Sequence, residues 1–288
     1  MPVAVLPDRG VIGVGGEDAR SFLDGLVTSS VAGVETGAGR YAALLTPQGK
    51  IIVDFIVTAD PGGLLLDVPR ALAADLARKL GFYRLRARVT VDDLSASLGV
   101  AAIWDTQVTD LGTAFTDPRL PALGHRIIGE RDELSAAADA TADDYAARRI
   151  GFGVPAGGVD FVYGDTFPHE ADMDLLGGVD FQKGCYVGQE VVSRMQHRGT
   201  ARTRVIPVRF ADGISPPDGS EALAGDKVAG RIGAAAPGGV ALALLRLDRI
   251  ADAMAAGEPL TAGGLAFRPE KPGFADFPFP WEAAKAQA

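Results

Sequence analysis

The amino-acid sequence predicts an α+β fold, and three observations support this prediction. Short apolar runs in hairpin arrangement dominate the first hundred residues, helical patterns interrupt them without a regular rhythm, and the tail from 228 to 267 alternates apolar runs with glycines. A regular strand–helix–strand rhythm would indicate a parallel sheet instead. Apolar runs separated by glycines are typical of a small β-barrel or sandwich.

The elements of the first hundred residues follow from the period of their apolar residues. The pattern predicts strand 11–14, helix 18–26, strands 41–46, 51–58 and 64–68, a helix that begins at Pro69, and strand 97–104. The turn Pro47-Gln48-Gly49 joins two of these strands into a hairpin. Leucines recur every four residues after Pro69, and we expect them to mark the buried face of that helix.

A further strand is predicted at 84–91, because apolar and basic residues alternate there. The two alternating sets are Leu85, Ala87, Val89 and Val91 on one face, and Arg84, Arg86 and Arg88 on the other. We therefore expect a row of arginines on a rigid strand. Later in the chain the pattern predicts helices 132–138 and 143–149, a helix that begins at 188 or 189, and strand 204–210.

The length and charge of the chain limit its class. A chain of 288 residues suggests about two domains. The net charge of −9 would repel nucleic acids and anionic membranes, so neither is expected as a partner. The charge is not uniform, however, because residues 78–88 and 183–204 form two basic islands. These islands are either solvated basic faces or the binding surface of a local anionic ligand.

No secretory signal or membrane-spanning segment is recognisable, so the expected location is the cytoplasm. Cys185 is the only cysteine, which excludes an intramolecular disulfide and a four-thiolate site within one chain. The three histidines are widely spaced, and no metal site is predicted.

The segment from Lys183 to Glu190, KGCYVGQE, is the most distinctive in the sequence. Gly184 and Gly188 bracket Cys185, and glycines permit backbone angles that other residues avoid, which indicates a tight exposed turn. A thiol just ahead of a helix start and near basic residues is typical of a reactive cysteine. The alternative is a small side chain that fills a gap in the core.

This segment resembles the signature of the folate-binding YgfZ family, which is related to the glycine-cleavage T-protein. Weaker matches extend the resemblance over nearly the whole chain: Leu44 to Lys50, Arg149 to Pro155, Phe167 to Glu170, Gly177 to Phe181, Arg194, and Arg198-Gly199. The eight-residue signature is highly specific, whereas the other matches are individually weak.

The resemblance implies a T-protein-like fold of two intertwined α+β subdomains and a small C-terminal β-barrel. It places the T-protein-like region at 1–203, with subdomains at about 1–95 and 96–203, and the barrel at 204–288. It also implies that the protein binds tetrahydrofolate or a one-carbon derivative and assists the synthesis or repair of iron–sulfur proteins, which would be its clients.

The candidate site residues combine the resemblance with the residue pattern. Cys185 and Asp54 are the candidate catalytic residues. The candidate cofactor-binding residues are Lys183, Tyr186, Gln189, Glu190, Arg194, Arg198, Arg84 and Arg86. The arginines of the predicted strand would pair with the carboxylates of a folate glutamate tail.

Asp54 marks the point where this chain departs from the T-protein. The T-protein motif has a pair of aspartates in the matching strand, and here Val53 replaces one of them. Asp54 is either a partly desolvated carboxylate that could act as a base or an exposed aspartate on the open side of the hairpin.

Three functions therefore remain open at the level of sequence. The first is a folate-dependent accessory protein for iron–sulfur clusters, with Cys185 as its central residue. The second is a folate-dependent aminomethyltransferase or other one-carbon transferase, with Asp54 as its central residue. The third is a redox or scaffolding protein that binds a partner through the basic islands without folate.

Overall fold

The computed structural model describes residues 2–105, 110–199, 201–276 and 279. The strands in these ranges are β1 (Val3–Val5), β2 (Arg9–Gly15), β3 (Gly39–Leu45), β4 (Ile51–Asp60), β5 (Gly63–Pro69), β6 (Thr90–Asp93), β7 (Leu98–Ile103), β8 (Thr113–Thr116), β9 (His125–Glu130), β10 (Thr203–Phe210), β11 (Glu221–Ala224), β12 (Lys227–Ala236), β13 (Val240–Arg246), β14 (Leu260–Ala262) and β15 (Leu265–Pro269). The α-helices are α1 (Ala19–Asp24), α2 (Arg70–Tyr83), α3 (Arg131–Ala137), α4 (Ala142–Gly151), α5 (Gln189–Arg198) and α6 (Leu247–Ala256).

The chain divides into two compact units. The first comprises residues 1–145 and 176–191, and the second comprises 146–175 and 192–288. The predicted bounds of the folate-binding region and its subdomains stay a prediction.

The first unit contains two antiparallel sheets. The larger sheet has the strand order β3-β4-β5-β2-β6, and the smaller has the order β1-β7-β9-β8. Helix α2 buries Ala73, Leu76 and Leu80 in the core of the larger sheet, and α1 adds Leu23. Leu134 of α3 packs into the core of the smaller sheet. The four-residue leucine spacing therefore marks the buried face of α2, as the sequence predicts.

The second unit contains the C-terminal barrel. Its six strands close in the order β10-β13-β12-β11-β14-β15, and α6 contributes Leu247, Ile250 and Ala253 to the same apolar core. A closed barrel leaves no unpaired strand edge. The predicted α+β class with a C-terminal barrel is confirmed.

A buried polar network joins the two sheets of the first unit. Arg126 of β9 donates hydrogen bonds to the carboxylates of Asp67 on β5 and Asp117 after β8, at 2.9 and 3.2 Å. The side chain of Asp67 is 0% exposed, and it also accepts a 2.6 Å hydrogen bond from Arg9 of β2. Tyr145 of α4 accepts a 2.9 Å hydrogen bond from Arg126. The network thus holds five separate segments together around buried charges.

The prediction of a strand at 84–91 is wrong. Helix α2 continues to Tyr83, a turn follows, and β6 begins only at Thr90. The backbone N–H groups of this turn find acceptors outside a β-sheet, which stabilises the turn. Arg88 donates its N–H to a carboxylate oxygen of Asp18 at 2.8 Å, and Ala87 donates its N–H to the Arg84 carbonyl. Leu85, expected in the core, is 89% exposed.

None of the helices in the described ranges is long and apolar enough to cross a membrane.

Candidate functional site

The loop that carries the signature exposes its cysteine and buries the side chains of Lys183 and Tyr186. Cys185 is exposed to solvent. The side chain of Lys183 is 3% exposed, and Tyr186 is 8% exposed. The predicted exposed turn is therefore present, and the alternative of a core cysteine is excluded.

Lys183 fixes this loop to the end of helix α1. Its ammonium group donates hydrogen bonds to three backbone carbonyl oxygens: those of Asp24 at 2.6 Å, Val27 at 2.8 Å and Ser29 at 3.1 Å. These bonds use all three N–H donors of a lysine, and they satisfy the last carbonyl of helix α1 and two carbonyls of the loop that follows it. Burial lowers the pKa of Lys183, whereas nearby Asp24 acts in the opposite direction. These contacts show that Lys183 holds the loop, and its predicted role in cofactor binding stays a prediction.

Tyr186 packs beneath the loop. The Lys183 nitrogen lies 5.5 Å from the centre of its ring, within the range of a cation–π contact. Burial raises the pKa of Tyr186 to about 12, so the phenol is neutral at physiological pH. Tyr186 is 8% exposed, and its predicted contact with a cofactor stays a prediction.

Of the two glycines around Cys185, only Gly188 is required by the backbone. Its φ is +83°, and a Cβ there would lie 2.6 Å from the Thr46 carbonyl oxygen. The β3–β4 turn therefore packs directly against the loop at this point. A Cβ at Gly184 would meet nothing within 4 Å, so Gly184 is not needed for space.

The other predicted cofactor-binding residues of this region lie on α5. Gln189 is the first helical residue and is half-buried, and Glu190 and Arg194 are exposed. The Arg198 side chain lies outside the described part of the chain. Their contacts with a cofactor stay a prediction.

Asp54 is buried in the larger sheet of the first unit. It is 5% exposed, and Tyr41 of the neighbouring strand donates a 2.9 Å hydrogen bond to its Oδ2. The alternative of an exposed aspartate is therefore wrong. Burial and the adjacent Asp54 carboxylate raise the pKa of Tyr41 well above its usual value, so Tyr41 is a permanent donor.

The arginines of the wrongly predicted strand 84–91 lie on an exposed turn. Arg88 pairs with Glu17 and Asp18. Arg84 and Arg86 are exposed, and Arg84 donates a 3.2 Å hydrogen bond to the Val89 carbonyl. They are cations at the surface rather than a row on a rigid strand.

A second charged cluster, in the second unit, was missed by the sequence analysis. Arg204 of β10 donates to Asp172 at 2.8 Å and to both carboxylate oxygens of Asp174 at 2.9 and 2.8 Å. It also donates to the backbone carbonyl of His169. The signal was available, because two aspartates and Glu170 alternate with apolar residues between 170 and 174.

Asp172 holds the unusual proton of this cluster. It is 1% exposed with a φ of +55°, and its Oδ2 has no hydrogen-bond partner among the described residues. Burial raises its pKa to about 8, and Asp174 adds to the rise, although Arg204 opposes it. Arg204 pairs with both Asp172 and Asp174, so its single positive charge balances only one of the two carboxylates. The other carboxylate, that of Asp172, therefore keeps its proton.

Within the described ranges, no group of three or more His, Cys, Asp or Glu side chains is arranged to hold a metal ion.

Comparison with known proteins identifies relatives over most of the chain. Residues 202–277 match the CAF17 C-terminal beta-barrel domain. The mitochondrial iron–sulfur cluster assembly factor IBA57 of Mus musculus is 31% identical over 279 residues, which cover 85% of this chain and 77% of the relative. The mitochondrial IBA57 homolog of Pyricularia oryzae is 32% identical over 293 residues, which cover 89% of this chain and 75% of the relative.

Other relatives are longer than this chain. The mitochondrial IBA57 homolog of Mycosarcoma maydis is 33% identical over 239 residues, which cover 76% of this chain but 59% of the relative. The chain spans 54% of the Neurospora crassa homolog. The predicted cytoplasmic location is contradicted by these relatives, which are named as mitochondrial proteins.

A solved structure confirms the predicted fold. The glycine cleavage system aminomethyltransferase T of Bartonella henselae superimposes with a TM-score of 0.72 and covers 96% of this chain and 87% of its own. The sequence identity is 16%, so this likeness concerns the fold alone.

We predict that Lys183→Ala destabilises the first unit by roughly 2–4 kcal/mol, because three partly buried carbonyls lose a charged donor. Urea unfolding measures the change, and hydrogen exchange of residues 24–29 locates it. The matched control is Lys227→Ala, which removes an exposed lysine and is expected to change stability by less than about 0.5 kcal/mol. Equal effects of the two substitutions would contradict the stabilising role of the three Lys183 hydrogen bonds.

We predict that Asp172→Asn removes a pH dependence of stability. The pKa of Asp172 is about 8 in the folded chain and close to 3.8 when unfolded, so the folded state keeps a proton that the unfolded state releases. Stability therefore falls as pH rises from about 4 to 8, by up to several kcal/mol. Chemical unfolding across this range is expected to show a flatter profile for Asp172→Asn than for the unmodified chain. Asp174→Asn, which removes the bidentate partner of Arg204, is expected to lower stability instead.

Proposed function

Because the chain belongs to the IBA57 family of iron–sulfur cluster assembly factors, we propose that it is a tetrahydrofolate-binding accessory protein for the synthesis or repair of iron–sulfur proteins. The activity depends on the Cys185 thiol. The observation that carries this proposal is the exposure of Cys185 on a loop whose neighbouring side chains are buried.

The loop is built to present a thiol in one position. Lys183 binds three carbonyls on one side of Cys185, and Gly188 packs against the β3–β4 turn on the other. A reactive group held by buried anchors loses less conformational freedom when it meets a partner. The partners in this proposal are iron–sulfur client proteins, in line with the role that the names of the relatives state.

The Asp54 carboxylate fits a folate as a charged hydrogen-bond acceptor. A pterin ring presents neighbouring N–H donors, and a carboxylate is a strong acceptor for such a pair. Tyr41 donates to one Asp54 oxygen and so fixes the orientation of the carboxylate. In this proposal Asp54 holds the ring, and the bound folate supplies a carrier for one-carbon units.

In the same proposal, the glutamate tail of the folate binds at the protein surface. A glutamate tail carries several carboxylates, and Arg84 and Arg86 are exposed cations that could pair with them. Pairs at this exposure contribute little individually because water screens them. Arg84 and Arg86 are therefore expected to add little to the affinity.

A second candidate function is a folate-dependent aminomethyltransferase. The buried Asp54–Tyr41 pair favours it, because a carboxylate shielded from water is a suitable proton acceptor. Val53, which stands where the T-protein has a second aspartate, argues against it.

Complementation separates these two functions. In cells that lack their own family member, we expect Cys185→Ser to abolish the activity of an iron–sulfur enzyme, because serine cannot replace the thiol. We expect Asp54→Asn to retain part of that activity, since it weakens folate binding without touching the thiol. The opposite pattern, with Cys185→Ser active and Asp54→Asn inactive, would support the transferase. Thermal unfolding of both purified variants controls for folding.

Calorimetry with tetrahydrofolate tests the cofactor. We predict that Asp54→Asn weakens binding by about tenfold or more, because it removes a charged acceptor. Asp60→Asn is the matched control, since Asp60 ends the same strand, β4, and is half-buried. It is expected to leave the affinity unchanged. Absence of binding to the unmodified chain would leave a scaffolding role without folate.

A further inference from the structure

The turn after helix α2 exposes large apolar side chains within a basic segment. We call residues 78–88 the basic tip. Phe82 is 74% exposed, Leu85 is 89% exposed and Tyr83 is 37% exposed. The segment contains five basic residues and no acidic residue. A cluster of exposed apolar side chains of this kind usually marks a binding surface.

The backbone holds Leu85 outward. Its φ of +45° lies in the left-handed region, which a branched side chain rarely adopts. Three contacts maintain this conformation: the Arg84 N–H donates to Leu80, the Ala87 N–H donates to Arg84, and the Arg88 N–H donates to Asp18. The core side of α2 is already filled by its buried leucines, so the exposed residues are not displaced core residues.

Three cations of the basic tip are not neutralised. Arg78 pairs with Asp75, and Arg88 pairs with acidic residues before α1. Lys79, Arg84 and Arg86 form no ion pair among the described residues. The tip therefore presents an apolar end surrounded by positive charge.

We propose that the basic tip docks the protein on an anionic phospholipid surface. Phe82 and Leu85 insert among the headgroups, and Lys79, Arg84 and Arg86 contact phosphates. Long basic side chains can keep their charge at the headgroup level while their stems follow apolar neighbours inward. The proposal goes beyond iron–sulfur assembly and does not rest on it.

The size of the tip favours a lipid surface over a protein partner. Three side chains at these exposures present on the order of 300 Å² of apolar surface. A specific protein interface needs about 800 Å² from each partner, with matching shape. A headgroup layer adapts to a small protruding group and requires no preformed groove.

The net charge of −9 argues against an anionic surface at long range. At physiological salt, however, charges more than about 8 Å away are largely screened. The tip residues would lie within this distance of the phosphates, so the positive charge of the tip determines the attraction rather than the net charge of the chain. Binding is therefore expected to weaken as salt increases.

Co-sedimentation of the full chain with vesicles tests the proposal. The vesicles contain equal parts of phosphatidylcholine and phosphatidylglycerol, with pure phosphatidylcholine for comparison. We expect binding to the anionic vesicles only. Arg84→Gln and Arg86→Gln should each weaken it about fivefold, which corresponds to the loss of one basic contact. Leu85→Ser and Phe82→Ser should each weaken it about tenfold or more.

Two substitutions in the second unit serve as matched controls. Ile214 is 65% exposed, and the side chain of Arg268 is 72% exposed. Ile214→Ser and Arg268→Gln should leave vesicle binding unchanged. All of these changes are at exposed positions, and circular dichroism verifies that each variant is folded.

Three outcomes would overturn the proposal. The first is no binding to anionic vesicles, and the second is equal binding by Leu85→Ser and Ile214→Ser. The third is loss of folate polyglutamate binding in both Leu85→Ser and Arg86→Gln while vesicle binding persists, which would assign the tip to the cofactor. Impaired iron–sulfur activity of tip variants without any vesicle binding would assign it to a protein partner instead.

Discussion

The first unit depends on one buried guanidinium group. Arg126 is 3% exposed, and its partners Asp67, Asp117 and Tyr145 come from three separate parts of the chain. Burial raises the pKa of Asp117, but the adjacent Arg119 and Arg126 outweigh it and hold that pKa well below its usual range. Removing the Arg126 guanidinium would leave the Asp67 and Asp117 carboxylates buried with fewer counter-charges, and this costs far more free energy than an exposed ion pair contributes. The two sheets can therefore separate only if the whole network opens.

The same network reaches Asp54. Arg119 binds Asp117, its guanidinium carbon lies 6.0 Å from the centre of the Tyr41 ring, and the Tyr41 hydroxyl holds Asp54. Cys185 is held by other anchors, the carbonyls after α1 and the β3–β4 turn. The two candidate catalytic residues thus share the β3–β4 hairpin, but different side chains hold them. A substitution at one can change its chemistry without loosening the other, and for this reason their functions can be separated by mutation.

The sequence predicted the elements whose evidence is local. The hairpin of β3 and β4, the buried leucines of α2 and the apolar runs of the barrel all show in the period of the residues. The strand at 84–91 failed because a period of two is compatible with a turn, and the deciding contact comes from Asp18, seventy positions away. Likewise, the role of Lys183 is set by three carbonyls more than 150 positions away. The sequence indicates which residue types are unusual, but partners at such separations are determined only by the fold.

The two charged clusters show how the ratio of charges sets the response to pH. Asp117 lies between two arginines, so it stays ionised, and its contribution to stability is lost as pH falls below about 4. In the second unit, Arg204 serves both Asp172 and Asp174, so one carboxyl keeps a proton and stability is lost as pH rises toward 8. Both clusters use the same residue types, and both bury them almost completely. The direction of the effect follows from whether cations or carboxylates are in excess, because a buried group ionises only when a counter-charge is available.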